Sequence, residues 1–280
     1  MSDKVFRDYT QEELDLQYTN LVTDHDMETQ QDLQARSADF ANHNADARDL
    51  RYGEDPNNRL DLYRAGADPK PAIIFIHGGQ WQRGGTAASS AWAGAAIENN
   101  VSFIAATFPM IPRVRLPDMV EHVLTLIRHV RANAGEYGID PTRLCVAGHS
   151  SGAHLAAAAI VRLANEDDLD GIVCGMTVSG NYDLRPLMLS YRREYMQLSE
   201  EETVALSPLL TLDRQLPPHL VVHGGNESDE FKRQATTFHG ALAAQTETEL
   251  IEVPGANHFE VFAGLEDRAS PAWAFLTRYL

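Results

Sequence analysis

Short runs of apolar residues, separated by longer amphipathic stretches, make up most of the chain from residue 59 onwards. The apolar runs lie at 59–64, 72–76, 101–108, 143–147, 172–178, 219–222 and 248–253. Runs that are apolar at nearly every position are typical of strands covered on both faces. In 120–130 and 231–242, apolar residues recur every three or four positions, as on one face of a helix. The pattern predicts an α/β fold with a mostly parallel central sheet and helices on both faces.

Two segments depart from this alternation. Residues 1–50 are polar and contain no glycine or proline, which favours helix. The weak apolar face of this segment is made by Leu14, Tyr18, Leu21 and Val22. The segment 181–214 breaks the order of strand and helix, and we interpret it as a small inserted helical cap. We therefore expect a single domain over 1–280, with an N-terminal helical extension at 1–50.

Charge and composition exclude several classes of function. The chain has 23 Lys and Arg against 40 Asp and Glu, a net charge of −17, which is the wrong sign for binding nucleic acid or an anionic membrane. No apolar run reaches the roughly 18 residues of a spanning helix, and no basic segment leads into an apolar one at the N-terminus, so we expect a cytoplasmic protein. Cys145 and Cys174 lie in apolar runs and are expected to be small buried residues. Metal-binding and phosphate-binding motifs are absent, so neither a metal nor a cofactor is predicted.

The candidate chemistry begins at the pentapeptide Gly-His-Ser-Ser-Gly at 148–152. It follows an apolar strand and precedes a helix of small residues, which is the context of a nucleophile elbow. Such a turn projects the hydroxyl of Ser150 above the sheet as a candidate nucleophile. The backbone N–H of Ser151, at the start of the helix, then points to where an oxyanion would form.

A second glycine turn, His-Gly-Gly-Gln-Trp at 77–81, follows the strand at 72–76. Glycines directly after a buried strand leave backbone N–H groups accessible, so Gly78 and Gly79 are candidates for the rest of an oxyanion hole. His77 is interpreted as a hydrogen-bonded brace of the loop rather than a proton carrier. Trp81 is expected to form a wall of the substrate pocket.

A serine nucleophile needs a base, and the base needs an orienting carboxylate. His258 follows the last predicted strand, in a loop that can return to Ser150. The acid is expected after the strand at 219–222, where Glu227, Asp229 and Glu230 are available. If Ser228 caps the next helix, Asp229 and Glu230 lie in its first turn and Glu227 in the loop above the strand. Glu227 is therefore preferred, with Asp229 and then Asp183 as alternatives.

Together these motifs resemble the kynurenine formamidase (arylformamidase) branch of the α/β-hydrolase fold, which adjoins the carboxylesterases of the hormone-sensitive-lipase type. The resemblance covers about residues 52–262, and the N-terminal Tyr-Thr-Asn at 18–20 is a looser match. It implies a serine hydrolase with Ser150 as nucleophile, His258 as base and Glu227 as acid. It also implies an oxyanion hole formed by the N–H groups of Gly78, Gly79 and Ser151.

The expected function is hydrolysis of a small amide or ester through an acyl-enzyme, with an N-formylkynurenine type of substrate favoured. A carboxylesterase acting on small hydrophobic esters and a non-catalytic ligand-binding protein are the alternatives. Whether the chain forms a homodimer is left open. The expected pocket is aromatic and lies between the elbow and the cap. Its predicted residues are Trp81, Phe108, Tyr182 and Phe259.

Overall fold

The computed structural model describes residues 3–20 and 23–280 and contains one central sheet. Its strands are β1 (Ala47–Arg51), β2 (Arg59–Tyr63), β3 (Lys70–Ile76), β4 (Ser102–Thr107), β5 (Ile139–His149), β6 (Ile172–Val178), β7 (His219–Gly224) and β8 (Thr248–Val253). They lie in the order β1-β2-β4-β3-β5-β6-β7-β8. From β4 to β8 every pairing is parallel, whereas β1 and β2 pair antiparallel at one edge. The predicted mostly parallel sheet is confirmed.

Helices cover both faces of the sheet. They are α1 (Gln11–Gln17), α2 (Asp24–Asn44), α3 (Ala93–Glu98), α4 (Leu116–Ala132), α5 (Ala134–Tyr137), α6 (Ser151–Asn165), α7 (Arg185–Leu189), α8 (Arg193–Met196), α9 (Glu200–Ala205), α10 (Asp229–Leu242), α11 (Ala263–Glu266) and α12 (Pro271–Leu276). Strand β3 shows why its run is apolar throughout: Ile74 and Ile76 pack in one apolar layer, while Ile73 and Phe75 pack in the other. Successive side chains of a strand point to opposite faces, so a sheet covered on both sides needs apolar residues at every position.

The N-terminal region contains helices, as predicted, but also a strand that was not predicted. Strand β1, Ala47–Arg51, lies at the edge of the sheet and is largely solvent-exposed. Its five residues include two arginines and an aspartate, so they carry no apolar alternation from which a strand could be read. The expectation that helix extends to residue 50 is therefore wrong over this strand. Leu21 and Val22, two members of the predicted apolar face, lie outside the described residues.

The N-terminal helices lie on the body of the protein near the carboxyl ends of the parallel strands. Leu14 and Tyr18 are fully buried, and the Tyr18 ring meets the Phe231 ring of α10 edge-on at 6.2 Å. Helix α2 buries Leu33, Ser37 and Ala41 along one face. In open α/β sheets ligands bind beyond the carboxyl ends of the strands. The N-terminal helices are therefore close to the edge where a site is expected.

Candidate active site

A sharp turn between β5 and α6 carries Ser150. Its backbone has φ 55° and ψ −123°, a conformation that is costly for a residue with a side chain. The neighbouring glycines make the turn possible, because a Cβ at Gly152 would lie 2.1 Å from the carbonyl oxygen of Ile76. A Cβ at Gly148 would lie 2.3 Å from the carbonyl oxygen of Gly152. The Ser150 N–H donates to the Val178 carbonyl oxygen at 2.8 Å, which fixes the turn against β6.

The loop after β8 places His258 directly beside this serine. His258 Nε2 lies 2.9 Å from Ser150 Oγ, and both side chains are buried. His149 holds the loop in place, because its Nε2–H donates to the His258 carbonyl oxygen at 2.9 Å. Burial, with a smaller contribution from the neighbouring His258 imidazole, lowers the pKa of His149 well below its ordinary value. His149 therefore remains a neutral structural donor at neutral pH.

Glu227 completes the hydrogen-bonded series. Its Oε1 forms a short hydrogen bond with His258 Nδ1. Its other oxygen, Oε2, accepts from the Ser179 hydroxyl and from the Gly224 N–H, both at 2.8 Å. The Glu227 side chain is only 1% exposed, so three partners surround a carboxylate that water scarcely reaches. Buried charge is tolerated only with such pairing, and the arrangement fixes the orientation of the His258 ring.

The other candidate acids lie elsewhere. Ser228 caps α10, as the sequence predicts, and its hydroxyl accepts from the Phe231 N–H at 3.5 Å. Asp229 consequently lies in the first turn of that helix, where its side chain is 76% exposed and pairs with Lys232 at 3.1 Å. Asp183 forms an ion pair with Arg185 at 2.9 Å. Both alternatives are therefore occupied by local contacts away from His258.

The glycine turn after β3 runs alongside the serine. A Cβ at Gly78 would lie 3.0 Å from the Ser150 Cβ, so the backbone of this glycine passes close to the nucleophile candidate. Within 3–20 and 23–280, no acceptor pairs with the backbone N–H of Gly78, Gly79 or Ser151. These three N–H groups are the predicted oxyanion-hole donors, and none of them is already paired with an acceptor in that part of the chain.

The same turn has an unusual backbone. Gly79, Gln80 and Trp81 have φ values of 127°, 57° and 61° in succession. Hydrogen bonds of two side chains hold this conformation. Trp81 Nε1 donates to His154 Nδ1 at 3.2 Å, and His154 Nε2 donates to the Leu206 carbonyl oxygen at 2.8 Å. Strained backbone of this kind persists where its surroundings over-determine it.

His77 also holds the turn, as the sequence predicts for a brace. Its Nδ1–H donates to the Gly78 carbonyl oxygen at 2.7 Å, and its ring stacks on Phe108 at 4.8 Å. Burial lowers the pKa of His77 to about 4. The ring is therefore neutral at neutral pH.

A cavity of about 150 Å³ opens beside Ser150 and His258. Its lining comes from the glycine turn, the elbow, the loop after β8 and the N-terminal helices. The lining residues are Asn20, Gln30, Leu33, Gln34, Phe75, His77, Gly78, Gly79, Gln80, Arg83, Gly84, Ala88, Ser89, His149, Ser150, His258, Phe259 and Phe262. A cavity of this size holds about one benzene ring.

Comparison with known families identifies the fold. Residues 73–262 match the family described as the alpha/beta hydrolase fold, a stretch that is more than half of the chain. The chain belongs to the α/β-hydrolase fold family.

Relatives of this hydrolase-fold protein include both formamidases and esterases. The kynurenine formamidase of Salmo salar is 29% identical over 235 residues, covering 77% of this chain and 76% of that protein. The isoprenylcysteine alpha-carbonyl methylesterase of Arabidopsis thaliana is 29% identical over 243 residues, covering 77% of this chain and 57% of that protein. The chain spans only about half the length of the plant methylesterases that it matches, 51% and 57% for two of them. The predicted resemblance to formamidases and esterases is confirmed.

Solved structures agree with this fold. A candidate thioesterase from Silicibacter sp. tm1040 superposes with a TM-score of 0.83 at 26% identity, covering 95% of this chain and 99% of that one. A thermophilic carboxylesterase from a metagenomic library superposes with a TM-score of 0.72, covering 91% of this chain and 97% of that one. At 18% identity the second match shows the shared fold alone.

Three of the four predicted pocket aromatics of this α/β-hydrolase-fold protein lie in the core. Phe259 lines the cavity beside Ser150, but Trp81, Phe108 and Tyr182 do not. Each is nearly or fully buried against an aromatic ring of another residue. Trp81 packs on His154, Phe108 packs on His77, and Tyr182 stacks on Phe238 at 4.0 Å. The prediction that these three line the pocket is corrected to a role in supporting the loops around it.

Several residues that line the cavity of this α/β-hydrolase-fold protein were not predicted. Asn20, Gln30, Leu33 and Gln34 come from the N-terminal segment and line the cavity. Only Asn20 had a signal in the sequence, as part of the Tyr-Thr-Asn element at 18–20. Ser179 was also missed, because nothing local marks a serine that follows β6 as a partner of Glu227. Among the described residues, no cluster of His, Cys, Asp or Glu is suited to hold a metal ion, and no helix is long and apolar enough to cross a membrane.

Proposed function

We propose that this α/β-hydrolase-fold protein is a serine hydrolase that cleaves small amides or esters through an acyl-enzyme. Ser150 is the nucleophile, His258 the general base and Glu227 the orienting acid. The observation that carries the proposal is the continuous contact from Glu227 Oε1 to His258 Nδ1 and from His258 Nε2 to Ser150 Oγ, the second at 2.9 Å. Nucleophile, base and orienting group within hydrogen-bond reach are the signature of nucleophilic catalysis.

The first step forms the acyl-enzyme. Glu227 accepts the Nδ1–H of His258, which leaves Nε2 unprotonated and able to accept the Ser150 proton. Ser150 Oγ attacks the carbonyl carbon, and the carbonyl oxygen gains negative charge. The imidazolium then donates its proton to the leaving nitrogen or oxygen, and the bond from the carbonyl carbon to the leaving group breaks.

The second step releases the acid. A water molecule gives a proton to His258 and attacks the acyl carbon, and Ser150 Oγ leaves with the proton from Nε2. In both steps the oxyanion accepts hydrogen bonds from the N–H groups of Gly78, Gly79 and Ser151. Each donor of this kind is worth about 10²–10³ in kcat when it is aimed at the developing charge.

The favoured substrate is an aryl formamide of the N-formylkynurenine type. A cavity of about 150 Å³ accommodates roughly one aromatic ring, and a formyl group needs almost no further acyl space. Leu33, Phe75, Phe259 and Phe262 supply apolar surface to the cavity. The kynurenine formamidases among the relatives support the same choice.

A carboxylesterase is the second candidate. Methylesterases and an esterase stand among the relatives at similar identity, so sequence similarity does not separate the two activities. Acyl length does separate them, because an esterase of this type needs room for the acyl chain of its substrate.

The test is kcat/KM for N-formylkynurenine against p-nitrophenyl esters of increasing acyl length, with Ser150→Ala as the control. Efficient deformylation with weak ester turnover supports the formamidase, and good turnover of esters alone supports the carboxylesterase. In Ser150→Ala, kcat is expected to fall by a factor of about 10⁴–10⁶ on every substrate. If the wild type does no better than Ser150→Ala on any of them, the proposal is wrong and a ligand-binding role takes its place.

A further inference from the structure

We infer that Arg83 is a specificity residue, which binds an anionic group of the substrate such as a carboxylate. The protein would then prefer anionic aryl amides or esters to neutral ones of the same size. This inference rests on the proposed function, because it names the substrate class of the same site. The two cavities that contact His258 differ in the charge of their linings.

The cavity beside Ser150 has an unexpected charge for this chain. The protein carries 40 acidic residues against 23 Lys and Arg, yet no Asp or Glu stands among the described residues that line this cavity. Arg83 is the one Lys or Arg in that lining. A carboxylate entering the cavity therefore meets a positive charge and no like charge.

The contrast with the second cavity is direct. A second cavity, of about 490 Å³, also contacts His258, and its lining includes Asp26, Glu227 and Glu260. Like charges there oppose an anion, while the charge at Arg83 attracts it. The substrate's anionic group is thus directed to the cavity beside Ser150.

Arg83 is also available to a ligand. Within the described part of the chain it forms no ion pair with an Asp or Glu, unlike Arg115 or Arg128. In the same part of the chain, its side chain makes one long hydrogen bond, from Nη2 to Gln80 Oε1 at 3.4 Å. A guanidinium group binds a carboxylate through two parallel hydrogen bonds, a geometry that an amide cannot reproduce with the same strength.

The backbone of Arg83 is held rigidly. Its N–H donates to the Gly79 carbonyl oxygen at 3.1 Å. A Cβ at Gly79 would lie 1.9 Å from the Arg83 carbonyl oxygen, and a Cβ at Gly84 would lie 2.2 Å from His77 Nδ1. The turn that carries the proposed oxyanion donors thus also fixes the Cα of Arg83 at the cavity. A fixed backbone reduces the entropy lost when the side chain binds a ligand.

The experiment uses pairs of substrates that differ in charge but hardly in size. Formanilides carrying a ring carboxylate at the 2, 3 or 4 position are compared with the matching carboxamides. For the best anionic substrate, Arg83→Gln is expected to lower kcat/KM by about tenfold to a hundredfold, the usual range for a hydrogen bond to a charged group. The matching carboxamide is expected to change less than threefold, and Arg83→Lys is expected to retain part of the preference.

Lys70→Gln is the matched control, because it removes the same charge. Lys70 begins β3, about 20 Å along the strand from the catalytic edge at 3.3 Å per residue. This variant is expected to keep the wild-type preference. An equal loss on anionic and neutral substrates in Arg83→Gln, or a wild type without preference for the anion, would overturn the inference.

A binding measurement separates this inference from the proposed function. Calorimetry of each intact substrate with Ser150→Ala needs no turnover, so it reports on Arg83 even if the catalytic proposal fails. Tighter binding of the carboxylate than of the carboxamide, lost in Ser150→Ala combined with Arg83→Gln, supports the inference. Equal binding of the two ligands contradicts it.

Discussion

The loops around Ser150 and the N-terminal helices both border the same cavity, but they are held in different ways. At the elbow, positions are set by backbone against backbone: a Cβ at Gly152 would collide with the Ile76 carbonyl oxygen at 2.1 Å. The N-terminal segment is held by individual side chains, such as Tyr18 against α10 and Asp26 bonded to Asn257 at 3.0 Å. Backbone constraints leave little choice of residue, whereas side-chain contacts can be replaced. Single substitutions at the elbow are therefore expected to cause large losses of activity or stability. Single substitutions in the N-terminal segment are expected to cause small ones.

The largest effect is expected at Glu227. Glu227→Gln keeps the shape of the side chain. Its oxygen is expected to keep accepting from the Ser179 hydroxyl and the Gly224 N–H, so its NH2 group faces His258 Nδ1, and the imidazole loses the tautomer that accepts from Ser150. A loss of about 10⁴ in kcat is expected, the size seen when a triad acid is replaced by its amide. Steady-state kinetics on the best substrate measure it.

Asp229→Asn is the matched control for that variant. Its side chain is 76% exposed and bonded to Lys232, so kcat is expected to stay within about threefold of wild type. A large loss in Asp229→Asn with a small one in Glu227→Gln would reverse the assignment of the acid.

The next effect concerns the backbone contact itself. Gly152→Ala places a methyl group against the carbonyl oxygens of Ile76 and His77, at 2.1 and 2.4 Å, so β3 and α6 must separate. The free energy of unfolding is expected to fall by about 3 kcal/mol or more, as measured by urea denaturation.

Gly240→Ala provides the comparison in an open position. A Cβ at Gly240 meets nothing within 4 Å, and the residue lies inside α10. Alanine is the better helix former, so a gain of about 0.5–1 kcal/mol is expected. A similar loss in both glycine variants would contradict the view that close approach, rather than glycine content, fixes the elbow.

This difference also explains what the sequence could predict. Ser150 and His258 are predicted as nucleophile and base because the elbow needs glycines at fixed spacing and the base follows the last strand. Glu227 is the predicted acid because the capping role of Ser228 assigns Asp229 to a helix. Each of these predictions depends only on residues that are close together in the sequence.

Other features depend on partners that are distant in sequence. Like Phe259, three other aromatic residues lie near the ends of loops, but their side chains point into the core. They are Trp81, Phe108 and Tyr182, and each packs against a ring from another part of the chain. Asn20 and Gln34 reach the cavity only because α1 and α2 fold back onto it. Strand β1 has too few apolar residues to show a period. Such placements follow from tertiary packing, which residue pattern does not encode.

A smaller effect is expected where the N-terminal segment meets α10. The Tyr18 hydroxyl donates to Glu230 Oε2 at 3.0 Å in a buried site. Burial and the nearby Glu230 carboxylate raise the pKa of Tyr18 above its ordinary value, so the phenol stays protonated as the donor. Tyr18→Phe removes that bond but keeps the ring, and a loss of about 1.5–3 kcal/mol in the free energy of unfolding is expected.

The effect on catalysis distinguishes a local from a coupled role of Tyr18. Its ring packs on Phe231, whose ring lies 4.8 Å from that of His258. Because Tyr18→Phe leaves these ring contacts in place, kcat is expected to stay within about threefold of wild type. A tenfold loss of kcat would show that the N-terminal helices, like the elbow, determine the positions of the proposed catalytic residues.

The smallest effect is expected in how the free energy of unfolding depends on pH near the elbow. Burial lowers the pKa of His154, the brace beneath Trp81, to about 4, against about 6.5 in the unfolded chain. Between these values the unfolded state binds more protons, so stability is full above pH 6.5 and falls as the pH drops towards 4. One such histidine contributes at most about 1.4 kcal/mol per pH unit. His154→Gln should reduce the slope of unfolding free energy against pH between 6.5 and 4.5 by up to that amount. If His154→Gln kept the wild-type slope, burial of this histidine beneath Trp81 would not contribute to the pH dependence of stability.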